Sequence, residues 1–182
     1  AGESTLETDV LELIRDHFRD VAIPLFVRTS QRDIFRSRVK GGEVQMSVFQ
    51  GLDNGLPSAD MSPQELAPSS DDQLQWPIWG LYRMSGHSQG KPSDLYHVQL
   101  LSTLLDEWML STRQEDRRRI WERMLAIHAD QVFSIGTINS TLQPVVSSAR
   151  LHNLPEKGLF GFQPTSYFGA YMPDTFWLDE DT

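Results

Sequence analysis

Apolar residues recur at spacings of three and four along residues 6–20, which is the pattern of one face of an amphipathic helix. A strand-length apolar run follows at 23–28. A second helical pattern covers 31–40 and ends at Gly41-Gly42, before another strand-length run at 44–49. This order predicts helix, strand, helix and strand, and the right-handed crossover rule makes the two strands parallel neighbours.

The periodicity is lost over residues 50–92, where Pro, Ser, Asp and Gly recur as in a long loop. Two tryptophans in this loop, Trp76 and Trp79, predict that it packs against the protein rather than extending into solvent. The helical pattern then returns, with apolar residues on one face of 94–110 and of 113–131. We therefore expect two consecutive helices after the loop.

Strand-length apolar runs return at 133–138 and 142–151. The end of the chain, residues 156–182, holds many aromatic residues among Gly and Pro but has neither a helical nor a strand period. Such a segment cannot form a core of its own, so we expect it to pack against another surface or another copy, or to be poorly ordered. Together with the helices, the strand-length runs predict an α/β fold.

The composition is that of a folded protein, because 39% of the 182 residues are hydrophobic. The formal net charge of −9 argues against a nucleic-acid partner, which requires clustered Lys and Arg. The basic run Arg117-Arg118-Arg119 stands among acidic residues and is interpreted as a solvated helix face. The absence of cysteine excludes disulfides and thiolate chemistry, and the sequence has no signal-peptide pattern and no apolar run of membrane-spanning length.

The segment Gly86-His87-Ser88-Gln89-Gly90 matches G-x-S-x-G, the nucleophile elbow of serine hydrolases. That chemistry needs a strand before the serine, a helix after it, and a histidine and an acid from later in the chain. Asp94 or Asp130 could be the acid, and His128 or His152 the base. However, a glycine and a proline soon after the serine oppose a helix, and the chain lacks the repeated β-α units of a hydrolase sheet. We therefore predict a loop and no enzyme, with a serine hydrolase as the alternative function.

The histidines show neither the i,i+4 pairing nor the flanking Glu of a metal site, so we predict no metal ion and no other cofactor. His128 lies on the apolar face of its predicted helix and is interpreted as a core or boundary residue. A phosphate-binding loop is not predicted, since Gly41-Gly42 ends a helix whereas such a loop begins one.

Residues 9–51 read DVLELIRDHFRDVAIPLFVRTSQRDIFRSRVKGGEVQMSVFQG and resemble the family 5 extracellular solute-binding proteins, the peptide- and nickel-binding class of ABC importers. The resemblance continues in RRRIWERMLAIHADQVFSIGTINSTLQPVVSSARLHNLP at 117–155 and in PDTFWLDE at 173–180. These stretches are similar, in order, to the second lobe of the family, to its last long helix with the return strands, and to its usual terminus. The family usually has Asp or Tyr near Gln45, so this position departs from the pattern.

The resemblance implies a fragment of a type II periplasmic-binding-protein-like fold. Residues 1–132 would belong to the second lobe, and residues 133–182 would form the hinge, the return strands and a tail that completes the first lobe. We expect the first lobe and its signal peptide to be missing from this sequence. The implied function is that of a periplasmic, non-enzymatic substrate-binding component, which captures a small solute and passes it to the membrane permease of an ABC importer. Import in this class works by closure of two lobes about a hinge, here expected near 133–141.

The resemblance also implies where the ligand binds. In peptide-binding members, the strand that matches 44–49 and the loop after it meet the ligand with main-chain groups and a carboxylate, a strand-like form of peptide capture. The carboxylate is matched by Asp53 when counted from Pro57 and by Asn54 when counted from the helix end. Both assignments stay open, and a simple Asx turn is the alternative.

The tryptophans of the long loop are a second candidate surface. Aromatic rings stack on sugars, planar groups or cations, although Trp76 and Trp79 could equally anchor the loop. The ligand therefore stays open among a peptide, an opine, an oligosaccharide and a metal chelate. The predicted ligand-binding residues are Phe49, Gln50, Gly51, Leu52, Asp53, Asn54, Trp76 and Trp79.

Overall fold

The structure is a computed structural model that describes residues 5–48, 59–137, 142, 144–158 and 172–179. In these ranges the chain forms the α-helices α1 (Thr5–Asp20), α2 (Arg32–Lys40), α3 (Pro77–Met84), α4 (Tyr96–Leu110) and α5 (Gln114–Gln131). Short 3-10 helices cover Gln64–Leu66 and Pro173–Thr175, and the strands are β1 (Leu151–His152) and β2 (Trp177–Leu178). None of the helices in the described ranges is long and apolar enough to cross a membrane.

The two helices predicted in the first forty residues are confirmed as α1 and α2. Helix α2 ends as predicted, because Gly42 adopts a φ of +75°, in the left-handed region that favours glycine. Val39 is the buried residue of α2, and this helix packs against α3. The end of α2 is therefore fixed to the part of the chain that contains the predicted tryptophan surface.

The helices predicted at 94–110 and 113–131 are confirmed as α4 and α5, which pack against each other and carry the core. Apolar residues recur at three- and four-residue spacings along α4, so one face of this helix is buried along its whole length. The 3-10 helix Gln64–Leu66 covers α5 from the loop side. The core cluster consists of Leu66, Ala67, Leu101, Leu104, Leu105, Trp108, Ile120 and Met124.

Helix α3 lies within the segment that the sequence pattern predicts as a loop. It begins at Pro77, and proline is favoured at the first helical position because its missing N–H would have no intrahelical partner there. Gly80 is buried against the chain at Ser70, where an added Cβ would lie 2.1 Å from the Ser70 carbonyl oxygen. A glycine is therefore what lets α3 approach the loop backbone so closely.

The strands predicted at 23–28 and 44–49 are not formed in the described residues, since 23–28 and 44–48 have no strand partner there. Likewise, 133–137 and 144–148 of the two later predicted strands are not in a sheet. The physical reason is that a strand needs a neighbouring strand to bond its amides, and local apolar character does not supply one. The described residues are mostly helical, and the α/β class remains a prediction.

The end of the chain forms a small antiparallel ribbon. Leu151 pairs with Leu178, and His152 pairs with Trp177. The part of the predicted tail at 172–179 thus packs on this chain's own residues, which corrects the expectation that the tail depends wholly on another surface. Residues 159–171 and 180–182 of that tail lie outside the described residues.

The predicted domain boundary after residue 132 coincides with the end of α5. Val132 takes a left-handed conformation with φ 50° and ψ 47°, so the chain leaves the helix direction at this point. The division of the chain into second-lobe and return segments stays a prediction.

Candidate functional site

Six of the predicted ligand-binding residues, Phe49, Gln50, Gly51, Leu52, Asp53 and Asn54, lie outside the described residues. The other two, Trp76 and Trp79, are described and lie close together. Their ring centroids are 6.0 Å apart and their planes are tilted by 32°. The described part of the candidate site is therefore built around these two indoles.

Trp76 is the centre of an aromatic cluster that we call the Trp76 cluster, made of Trp76, Trp79, His128 and Phe133. The centroid of Trp76 lies 5.9 Å from that of His128 and 5.1 Å from that of Phe133, which it meets edge to face at 88°. His128 and Phe133 are themselves 5.5 Å apart at 80°. These separations and angles are those of attractive aromatic pairs.

Local sequence explains how the cluster forms. Trp76 is the residue before the first turn of α3 and Trp79 lies one turn on, so residues three apart bring both rings to one side of the helix start. Trp76 and Phe133 both pack against the core cluster. The Gln75 side chain donates a 3.0 Å hydrogen bond to the Phe133 carbonyl, which ties the start of α3 to the residue that follows α5.

His128 occupies the position predicted for it, half-buried at the edge of the core. Its Nε2 atom lies 2.8 Å from the Leu66 carbonyl oxygen. Because a carbonyl oxygen can only accept, Nε2 carries a proton and is the donor in this hydrogen bond. The interpretation of His128 as a core or boundary histidine is confirmed.

The segment at 59–66, which follows the predicted ligand loop along the chain, is fastened to α4 and α5 by side-chain donors. The Trp108 Nε1–H donates to the Ala59 carbonyl at 3.0 Å, and the Trp121 Nε1–H donates to the Met61 carbonyl at 2.9 Å. The His128 bond to Leu66 is a third attachment. Sequence analysis did not predict these bonds, because an apolar helix face does not reveal which carbonyl each indole will reach.

Asp60 adds a charged attachment in the same segment. It accepts hydrogen bonds from Gln114 at 3.1 Å and from Arg117 at 3.3 Å. Arg117 also donates to the Ser111 carbonyl at 2.9 Å, and its guanidinium carbon lies 4.7 Å from the centroid of the Trp108 ring. The interpretation of the basic run as a solvated helix face is confirmed for Arg118 and Arg119, which are exposed, but not for Arg117, whose side chain is only 27% exposed.

A second charged contact joins α2 to the loop. The Lys40 Nζ atom lies 3.2 Å from carboxylate oxygens of both Asp71 and Asp72. These two hydrogen bonds raise the pKa of Lys40 above its ordinary value, with the charges of the same carboxylates adding to the effect. The ammonium group thus stays charged while it links the end of α2 to the chain that precedes α3.

The G-x-S-x-G segment does not have the geometry of a nucleophile elbow. It follows helix α3 rather than a strand, and no helix begins between Ser88 and Tyr96, where α4 starts. The Ser88 hydroxyl donates to the Ser85 carbonyl at 2.8 Å, and the His87 ring stacks on Tyr82 at 4.5 Å. The segment is the loop predicted from its glycines and proline.

Other titratable residues do not assemble into a metal site, and no cluster of three His, Asp or Glu side chains that could hold a metal was found among the residues described. His152 instead stacks on Trp177 at 4.0 Å, with its Nε2 2.9 Å from an Asp179 carboxylate oxygen. This contact accompanies the pairing of β1 with β2. Among the described residues, the Trp76 cluster is the candidate site, because its aromatic rings suit binding by stacking.

Neither protein-family models, nor curated proteins, nor solved structures gave any match to this chain.

Proposed function

We propose that this chain is the carboxy-terminal part of the periplasmic substrate-binding component of an ABC importer, and that it captures a peptide-like or other polar small solute. The order of the three stretches that resemble the family supports the proposal. The helices formed at α1, α2 and α5 agree with the helices expected in those stretches. The protein would bind and release its ligand without chemical change.

The observation that carries the proposal is the exposure of strand-length apolar segments. Phe26, in the first predicted strand, is 86% exposed, and Val146, in the last one, is 97% exposed. No backbone hydrogen bond between described residues involves the amides of 25–28 or 44–48. Such segments are expected where a sheet is completed by chain from elsewhere, as in the two-lobed binding proteins, whose strands pass between lobes.

The ligand would meet the second lobe at two places. Residues 49–54 would contribute main-chain groups and the carboxylate of Asp53, or the amide of Asn54, to a peptide-like ligand. The Trp76 cluster would contribute an aromatic surface, with the Trp76 and Trp79 rings 6.0 Å apart. Closure of the first lobe about the hinge near 133–141 would then enclose the ligand.

Amide hydrogen exchange tests the missing-lobe part of the proposal. The 182-residue chain is compared with a longer protein that carries the first lobe before it. We expect the amides of 25–28 and 44–48 to exchange rapidly in the short chain and slowly in the long one, because only the long protein supplies strand partners. The amides of α4 serve as the internal control and keep the same protection in both. Equal exchange of the two segments in both proteins would contradict the proposal.

Calorimetric titration of the longer protein with the tripeptide Ala-Ala-Ala tests the ligand part. If Asp53 binds the peptide ammonium, Asp53→Asn removes a charge-assisted hydrogen bond, so affinity falls about ten- to a hundredfold. Asp94→Asn, an exchange of the same kind at an exposed loop aspartate, is the matched control and leaves affinity unchanged. Equal affinities of wild type and Asp53→Asn would remove Asp53 from the site.

A further inference from the structure

We propose that His128 is a positioning residue that fixes the orientation of Trp76 so that this indole can stack against a planar side chain of the ligand. The inference rests on the proposed function for its ligand, whereas the positioning itself follows from contacts within the described residues. It also narrows the ligand class to solutes that carry an aromatic or similarly planar group.

The first step is the anchoring of His128. Its Nε2–H is bonded to the Leu66 carbonyl at 2.8 Å, and the Leu66 side chain is 1% exposed in the core cluster. One end of the imidazole is thus attached to a backbone that the core holds in place. A bond of this kind sets both the tautomer and the rotation of the ring.

The second step is the contact of that ring with Trp76. The centroids of His128 and Phe133 both lie within 6 Å of that of Trp76, and these two rings also touch each other. The three rings therefore form a closed triangle in which Trp76 is bounded by two neighbours. Phe133 is held in turn by the Gln75 bond to its carbonyl.

The third step is the choice of histidine at this position. Phenylalanine could supply the aromatic contact, and glutamine could supply the N–H for the Leu66 carbonyl, but histidine supplies both. The anchoring bond therefore serves the orientation of a ring that Trp76 contacts, in addition to the helix packing that an aliphatic residue would also provide. Substitutions that separate the two properties make the inference testable.

The consequence is a selective effect on ligands. Stacking depends on the separation and tilt of the two rings, so an indole of fixed orientation favours a planar partner and gives no comparable advantage to a methyl group. A fixed Trp76 would raise the affinity for a peptide such as Ala-Phe-Ala but not for Ala-Ala-Ala. The difference between these two probes isolates the contribution of the stack.

Circular dichroism of the 182-residue chain tests the positioning without any ligand. Two indoles 6.0 Å apart with a fixed tilt couple to each other and give a paired signal in their absorption bands. We expect His128→Leu, which removes both the ring and the N–H, to lose this signal, and His128→Gln, which keeps an N–H but lacks the ring, to retain only part of it. Helical circular dichroism identifies any variant that fails to fold. An unchanged indole signal in folded His128→Leu would overturn the positioning role, whether or not peptides bind.

Titration of the longer protein then tests the ligand class. We expect His128→Leu to weaken Ala-Phe-Ala binding about two- to tenfold relative to Ala-Ala-Ala, as is typical of one aromatic pair, and His128→Gln to restore part of the loss. An equal change for both peptides would overturn the stacking role. Absence of binding by the wild-type protein would instead refute the proposed function and leave the indole signal to decide the positioning role.

Discussion

The close approach of α3 to the loop before it makes a sharp prediction for Gly80→Ala. An added Cβ would lie 2.1 Å from the Ser70 carbonyl oxygen, 2.5 Å from its carbon and 2.9 Å from its nitrogen. These are backbone atoms, so no side-chain rotation relieves the overlap. The Ser70 backbone is also held in place, because its N–H donates to the Gln73 side chain at 3.3 Å.

The magnitude follows from two opposing effects. Alanine gains about 1 kcal/mol over glycine from helix propensity. Overpacking a close-packed contact costs about 1–3 kcal/mol or more, and a clash between Cβ and backbone lies at the upper end of that range. We therefore expect Gly80→Ala to lower the free energy of unfolding by about 2 kcal/mol, since the clash outweighs the propensity gain.

The assay is urea unfolding followed by helical circular dichroism and by tryptophan fluorescence. Gly136→Ala is the matched control, because an added Cβ there meets nothing within 4 Å. The control should stay within about 0.5 kcal/mol of wild type, as is usual for surface substitutions. In Gly80→Ala, displacement of α3 also moves Trp79, so the native-state fluorescence should change. A Gly80→Ala variant as stable as the control would refute the close packing of α3.

Three further predictions concern the attachments around the site. Trp121→Phe leaves the Met61 carbonyl without its indole donor and should cost about 1–2 kcal/mol in urea unfolding; unchanged stability would contradict the bond. A double-mutant cycle of Asp60→Asn and Arg117→Gln should give a coupling of about 0.5 kcal/mol because the pair is partly exposed, and a coupling near zero would remove it as an attachment. Lys40→Gln should lower the melting temperature around neutral pH. The pKa of Lys40 in the folded protein is raised above its ordinary value of 10.5, so the charged group stabilises the fold below pH 10.5, and this contribution is lost as the pH rises through the raised pKa. The difference in melting temperature between wild type and Lys40→Gln should therefore narrow at higher pH. A gap that widens there would contradict the sign.

The long helices could be predicted from the sequence because their information is local. Apolar residues on α4, and on α5 from Ile120 onward, repeat at the helical period, and tertiary packing then buries the face that the repeat defines. Helix α3 was not predicted because it has only eight residues, starts at a proline and is followed by a glycine-rich loop. Its close contact at Gly80 depends on the path of the backbone at Ser70.

The strand-length apolar runs could not be assigned from local sequence in this way. Local apolar character at 23–28 and 44–48 is compatible with strands, but a strand exists only when a neighbour satisfies its amides. The exposed Phe26 marks where that neighbour is lacking among the described residues. The apolar pattern of a segment therefore cannot predict whether the segment forms a strand, because that depends on pairing with a distant part of the chain.

In the candidate site, too, local features could be predicted from the sequence and long-range contacts could not. That Trp76 is packed could be predicted from an aromatic residue within a proline-rich loop, whereas its contact with His128 could not, because the two residues are far apart in sequence. The indole hydrogen bonds to the 59–66 segment could not be predicted either, since they link residues that are 49 and 60 positions apart. Such long-range polar contacts depend on how the 59–66 segment packs against α4 and α5, which the sequence pattern does not specify.

These long-range attachments bear on how the sequence of the predicted ligand-binding residues 49–54 could change without loss of the fold. On the amino-terminal side of residues 49–58, α2 is fixed by the burial of Val39 and by the Lys40 contacts with two aspartates. On the carboxy-terminal side, the 59–66 segment is bonded to α4 and α5 at Ala59 and Met61. Helix α2 and the 59–66 segment are thus both held by residues outside 41–58. Substitutions at the predicted ligand-binding residues 49–54 should therefore leave these attachments in place, as expected if these residues vary with the ligand while the scaffold stays constant.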